Sequence, residues 1–203
     1  MRAYAILETQ ITTHFLSTHY DLVVGYTWPG GDDVFDYDAP KARTSLVGPR
    51  LTRLISQMSP IISSLDVMTH SMGAHVIFKA LQQPGIRIRH HFATASAVDN
   101  EALEQGERYH HSSNACDVNF VFHSKNDAVL RFGYRTLEWD RALGHSGPEN
   151  PAGTRDNVKI INCKRVIHRH GGYKYSGPVF QFIQSALNEA NPGQLPKFTQ
   201  LND

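Results

Sequence analysis

A serine, a carboxylate and a histidine, far apart along a chain of 203 residues, carry the chemistry this sequence offers most plainly. The pentapeptide Thr69-His70-Ser71-Met72-Gly73 follows a short apolar run, Leu65 to Thr69, and precedes Val76, Ile77, Ala80 and Leu81 at helical spacing. A strand that turns sharply into a helix exposes a serine hydroxyl at the turn and aims the first helical N–H groups at a developing oxyanion. The pattern G-x-S-x-G describes such an elbow, with small residues flanking the serine because strand and helix pass close together. Gly73 meets the second glycine requirement and Thr69 replaces the first, so extra room is expected beside Thr69. Ser71 is the candidate nucleophile and the Met72 N–H a candidate oxyanion donor. The plainer role for Ser71 is as N-cap of a helix starting at Met72.

A serine needs a base, and in such folds the partners follow in the order serine, acid, histidine. Asp127 ends His-Ser-Lys-Asn-Asp, just past an expected strand Val118 to His123. His170 lies in His-Arg-His-Gly-Gly-Tyr, beyond an expected strand ending at Cys163. Both are placed at strand carboxyl ends, the edge where α/β sheets bind ligands. Asp99 competes with Asp127 as the acid and His168 with His170 as the base. His168 and His170 also form a candidate metal pair, but no neighbouring carboxylate or cysteine completes a ligand set at recognisable spacing. The pairs His90-His91 and His110-His111 read as surface or strand-end histidines. No metal or organic cofactor is required for the chemistry of the three leading residues.

These residues need a scaffold, and the composition supplies one. Hydrophobic residues make up 40% of the chain and charged residues 19%, enough apolar surface for a single-domain core. Twenty basic against nineteen acidic residues leave a formal charge of +1. No basic run is interleaved with aromatics, so no nucleic-acid or membrane footprint is expected and the partner is expected to be a small molecule. Cys116 and Cys163 sit in no metal spacing and fit a reduced compartment. The first residues lack a signal-peptide pattern and no stretch reaches the ~20 apolar residues of a membrane span, so a cytoplasmic location is expected.

Ala3, Ile6, Leu7, Ile11 and Phe15 predict an amphipathic first helix. Leu22 to Trp28, closed by Pro29-Gly30-Gly31, predicts a strand buried on both faces, followed by an acidic loop from Asp32 to Asp38. Val47 to Met58 suits a helix that kinks, or starts, at Pro49. Strands follow within Ile86 to Val98, at Val118 to His123 and at Val158 to Cys163, with a surface excursion from Arg135 to Asn157. A last helix, Pro178 to Ala190, closes a domain of residues 1–190, and 191–203 reads as a loose tail. Alternating strands and helices predict an α/β fold, a mostly parallel sheet with helices on both faces.

Together these segments resemble a family of uncharacterised α/β-hydrolases similar to serine esterases and lipases. Tyr26-Thr27-Trp28-Pro29 matches its aromatic-Ser-Trp-Pro strand end, and Tyr37, Asp38, Ala42 and Ser45 match the spaced residues that follow. Thr69 to Gly73 matches its Ala-His-Ser-Met-Gly elbow, Ser124-Lys125-Asn126-Asp127 its Ser-x-Asn-Asp loop, and Arg141-Ala142-Leu143-Gly144 its Arg-x-Leu-Gly stretch. His170 and Tyr173 match its late histidine and tyrosine. The resemblance spans about Met1 to Ile183 and implies an α/β-hydrolase fold and a serine hydrolase acting on an ester-type substrate. Ser71, His170 and Asp127 would be its triad, and Trp28 either a wall of the acyl pocket or a packing aromatic. It also implies an earlier strand ending in His-Gly, whose loop gives a second oxyanion N–H. That strand would precede Met1, so the expectation is a sheet without its N-terminal strands, with an uncovered edge that invites a partner copy. A missing oxyanion donor costs ~2.7–4 kcal/mol of transition-state stabilisation, and a catalytically impaired binding domain is the alternative reading.

Overall fold

The computed structural model describes residues 2–13, 18–30 and 38–202. Phe15, Tyr37 and residues 32–37 of the expected acidic loop lie outside the described residues. Helix α1 (Arg2–Ile11) and the longer α2 (Asp38–Met58) precede the sheet. Strand β1 (Asp66–His70) leads through the elbow into α3 (Gly73–Leu81) and β2 (Ile88–Thr94). After β3 (Cys116–His123) come a wide π-type turn (Val129–Tyr134), α4 (Arg135–Glu138) and α5 (Leu143–Ser146). Strand β4 (Val158–Asn162), helix α6 (Gly177–Asn188) and a short β5 (Phe198–Gln200) complete the fold.

The five strands lie in the order β1-β2-β3-β4-β5 and all pair in parallel. Such strands are covered on both faces, which explains why Phe120, Val121 and Phe122 form a continuous apolar run in β3 with no exposed surface. One face packs Phe92, Phe120 and Phe122 under Val179, Phe180 and Ile183 of α6, with Phe182 meeting the rings of Phe120 and Phe122 edge-on. The other packs Val121 and Val158 beneath Ile77, Phe78 and Leu81 of α3. Leu7 and Ile11 of α1 add to the first cluster, and Cys116 and Cys163 are buried free thiols.

Several sequence expectations need correction. Helix α2 begins at Asp38 and carries Pro49 within it, rather than starting at Pro49. The neighbouring glycine has a packing reason: a Cβ on Gly48 would stand 2.9 Å from the Lys79 Cβ, so Gly48 lets α2 lie against α3. The Lys79 ammonium then ties the crossing by donating to the Thr44 and Ser45 hydroxyls, each at 2.7 Å.

Residues 22–28 are irregular instead of a buried strand, with Leu22 72% and Val24 57% exposed. No strand flanks this segment among the described residues, so it lacks the pairing a buried strand needs, and Val23, Tyr26 and Trp28 are only half-buried. The 135–157 excursion is no simple surface loop either, because Ala142 and Leu143 are fully buried. Residues 198–200, expected in a loose tail, run parallel to β4, and the Ile160 N–H donating to the Lys197 carbonyl at 2.8 Å begins that pairing. His90 and His91 are buried within β2, not at the surface.

The amino end of β1 is held by a buried carboxylate. Asp66 accepts from Arg89 Nε at 2.9 Å and Nη2 at 2.6 Å, from the His90 N–H at 3.0 Å and from the Tyr20 hydroxyl at 2.6 Å. Burial alone would raise its pKa, but the donors from His90, Arg89 and Tyr20 together hold it well below the usual carboxylate range. A carboxylate depressed on folding contributes stability that is complete above its unfolded pKa of roughly 4 and is lost as pH falls through the folded value. Asp66→Asn is expected to cost about 3 kcal/mol at neutral pH, because it leaves Arg89 without its partner. Thermal melts should show the wild type losing more stability than the variant as pH is lowered below roughly 4.

Candidate active site

The carboxyl ends of β1, β3 and β4 lead to Ser71, Asp127 and His170 respectively. Ser71 has φ of +54°, left-handed backbone unusual for a residue with a side chain and expected of a sharp strand-to-helix turn. The turn is pinned from the β2 side. The Ser71 N–H donates to the Thr94 carbonyl at 3.1 Å, and the Ser71 carbonyl accepts from the Ala74 and Ala97 N–H groups at 3.1 and 3.2 Å. Helix α3 has no side-chain cap bond and its N-cap is Met72, so Ser71 does not serve as a capping residue. The Met72 N–H donates to no acceptor among the described residues.

Thr69 fits where the elbow pattern places a glycine because the turn is not crowded there. A Cβ on Gly73 would lie 3.6 Å from the Thr69 Cβ, an ordinary contact. The Thr69 hydroxyl pairs with His91 Nε2 at 2.8 Å beneath α3, where the Phe78 ring meets the His91 ring edge-on. Burial pushes the His91 imidazole down to about 3, so it stays neutral in the sheet. His75 on α3 is likewise lowered to about 3 by burial and pairs with the Tyr109 hydroxyl at 2.8 Å.

The candidate acid and base meet directly. His170 Nδ1 and Asp127 Oδ2 are 2.8 Å apart, with Asp127 fully buried and His170 18% exposed. The second carboxylate oxygen, Oδ1, accepts the Leu130 N–H at 3.1 Å, which fixes the orientation of the group. Ser124 explains how the two loops are drawn together. Its hydroxyl donates to the Ile167 carbonyl at 2.7 Å and accepts the Asn126 N–H at 3.2 Å, while Asn126 Nδ2 donates to the Lys164 carbonyl at 2.7 Å. The Ser-x-Asn-Asp spacing therefore clamps the loop after β3 to the loop after β4.

His170 is also tied to the elbow. His70 Nε2 lies 2.9 Å from the His170 carbonyl, and the two rings stand edge-on with centroids 4.6 Å apart. Surrounding protein and the facing His170 lower the proton affinity of His70, although part of its ring meets solvent. Buried Tyr173, whose ring lies 6.5 Å from that of His70, closes the turn from below. The Ser71 hydroxyl itself makes no hydrogen bond among the described residues.

The competing residues go elsewhere. Asp99 accepts the Tyr134 hydroxyl at 2.5 Å, and His168 Nδ1 faces Asn126 Nδ2 at 3.3 Å. No group of three His, Cys, Asp or Glu that could hold a metal occurs among the described residues. Trp28 lies in the irregular 22–28 segment with its ring folded over Gly30, so no strand holds it against the site. Sequence reasoning missed Ser124, His70 and the buried role of His91. Ser124 and His70 were visible only as members of the Ser-x-Asn-Asp and elbow patterns, and nothing in the sequence marks their bonds across the sheet.

The Arg-x-Leu-Gly stretch has a steric reason. Gly144 N donates to the Ser96 carbonyl at 2.9 Å and the Gly144 carbonyl accepts from Ser124 N at 3.0 Å. A Cβ at Gly144 would fall 2.2 Å from the Ser96 nitrogen and 2.3 Å from the Ala95 carbonyl carbon. Gly144→Ala is therefore expected to cost roughly 3 kcal/mol or more, and Gly73→Ala less than about 1 kcal/mol, in urea unfolding. Equal effects at the two positions would contradict the packing described.

A family model described as "Alpha/beta hydrolase of unknown function (DUF900)" matches residues 4–157. No curated protein and no solved structure matches the chain.

Proposed function

Because the chain belongs to the family of α/β-hydrolases of unknown function, we propose that it is a serine hydrolase that cleaves an ester-type bond through an acyl-enzyme. The observation that carries this reading is the 2.8 Å bond between buried Asp127 and His170, beside an elbow whose serine has left-handed backbone. With Nδ1 held by the carboxylate, His170 Nε2 is left to accept the Ser71 proton.

In the first half-reaction the Ser71 Oγ forms a bond to the acyl carbon while its proton passes to His170. The oxyanion that develops is held by the Met72 N–H, and Asp127 stabilises the imidazolium. Collapse breaks the bond to the leaving group, which takes the proton from His170. A water molecule then gives its proton to His170 and attacks the acyl carbon. The acid is released as the proton returns to Ser71. Trp28 is the proposed wall of the acyl pocket. The substrate is a small ester-type molecule, and no cofactor takes part in these steps.

One observation favours the second reading, a binding domain built on the same fold: no hydrogen bond joins the Ser71 hydroxyl to His170. Nucleophile and base in unliganded sites often stand further apart than in the reacting complex, so reactivity decides between the readings. A fluorophosphonate probe is expected to label the folded protein at Ser71, with labelling abolished in Ser71→Ala and slowed by about 10³-fold or more in His170→Ala and Asp127→Asn. Folded protein that takes no label sinks the hydrolase reading and leaves the binding domain.

A further inference from the structure

The segment that follows Asp127 presents an unusual outer face. Phe132 is 62% exposed, Leu137 38% and Trp139 90%. Its inner face is fully used: Leu130 and Tyr134 are buried, Tyr134 donates to Asp99, and Glu138 pairs with Lys41 at 2.5 Å. Spacing by three and four residues puts Arg131, Phe132, Arg135, Thr136 and Trp139 on the opposite, outward side, all of them exposed. The Arg131 guanidinium sits 5.0 Å above the Phe132 ring. Neither Arg131 nor Arg135 makes an ion pair among the described residues. The neighbouring Asp140 turns to accept the Arg141 N–H at 2.6 Å.

Trp139 is the most telling member. It ends α4 with φ of +59°, its N–H donating to the Arg135 carbonyl at 3.1 Å. Glycine adopts that backbone without steric cost, whereas a bulky residue there is strained. Its indole makes no ring contact or side-chain hydrogen bond among the described residues. The folded chain thus gains nothing visible from the tryptophan in return for strain and exposure, and strain of this kind points outward to function.

We propose that this face docks on an anionic lipid surface, with Trp139 and Phe132 entering the headgroup region and Arg131 and Arg135 meeting phosphates. Aromatic side chains flanked by guanidiniums suit that boundary, where indole rings settle and basic groups find negative charge. A stable protein interface needs about 800 Å² from each partner, more than a single turn of helix and the turn before it supply. The docking does not depend on the acyl chemistry proposed above. No helix among the described residues is long and apolar enough to cross a membrane, so attachment would be peripheral.

The test is co-sedimentation of the native chain with vesicles of phosphatidylcholine alone and of phosphatidylcholine mixed with phosphatidylglycerol. Binding is expected for the mixed vesicles only and should weaken with added salt. Replacing both guanidiniums, Arg131→Gln with Arg135→Gln, is expected to weaken it about 30-fold. Trp139→Gly should abolish binding while leaving the melting temperature unchanged or raised. Trp28 and Trp139 are the two tryptophans of the chain, so in Trp28→Phe protein a blue shift of emission on adding mixed vesicles reports Trp139 directly. If that variant fails to fold, the sedimentation results stand alone. The proposal is overturned if the native chain ignores mixed vesicles or if Trp139→Gly binds them as well as wild type. A Trp139 buried by self-association without lipid, or one whose loss unfolds the chain, overturns it too.

Discussion

Parallel pairing is the constraint on which the rest depends. Because β1 to β4 all point one way, each strand hands its chain over at the same edge of the sheet. Residues 71, 127 and 170 therefore leave the sheet at one rim. An antiparallel neighbour would have sent one of them to the opposite edge. Lateral order then fixes how close they come. The loops after β3 and β4 are adjacent and meet in the Asp127–His170 bond. The elbow after β1 is two strands removed from β3, and the turn containing His170 reaches across to pack on His70.

Backbone contacts join the side-chain clamp at that rim. The elbow is held by Thr94 and Ala97, and α5 is held against Ser96 and Val98 through Gly144 and Leu143. Behind the rim, the sheet carries polar groups that most cores avoid. The Thr69–His91 bond lies beneath α3 in a site where burial keeps the imidazole neutral. A neutral ring can share one proton with a hydroxyl and remain buried, whereas a charged one would need a counter-ion that the site lacks.

At the other end of β1, Asp66 gathers Arg89, His90 and Tyr20. The Tyr20 hydroxyl in this network ties the irregular 18–30 segment to the sheet, where no strand pairing among the described residues does so. The molecule thus separates its tasks along β1, with anchoring at the amino end and the candidate chemistry at the carboxyl end. The formal charge of +1 conceals a further separation. Acidic side chains near α4 turn inward to Lys41 or back to the main chain, and Arg131 and Arg135 make no ion pair among the described residues.

The sequence by itself determined the elements with strong local signals. Strand β1, the elbow and α3 were legible because an apolar run, a Ser-x-Gly turn and helical spacing coincide there. Strands β2 to β4 and α6 were legible from their apolar runs, and Asp127 and His170 from their places after strands. Tertiary structure alone decided where local signals conflict or vanish. Leu22 to Trp28 has the composition of a buried strand, but a strand is made by its neighbours and none flanks it among the described residues. Residues 198–200 have no strong strand pattern, yet the open side of β4 takes them as a partner. Gly48 and Gly144 look like breakers, and their value appears only where another backbone or side chain approaches where a Cβ would be. His91 looks like any surface histidine until Thr69 and Phe78 close over it. Periodicity reports which residues avoid water; which groups meet across tens of positions depends on the packing of the whole sheet.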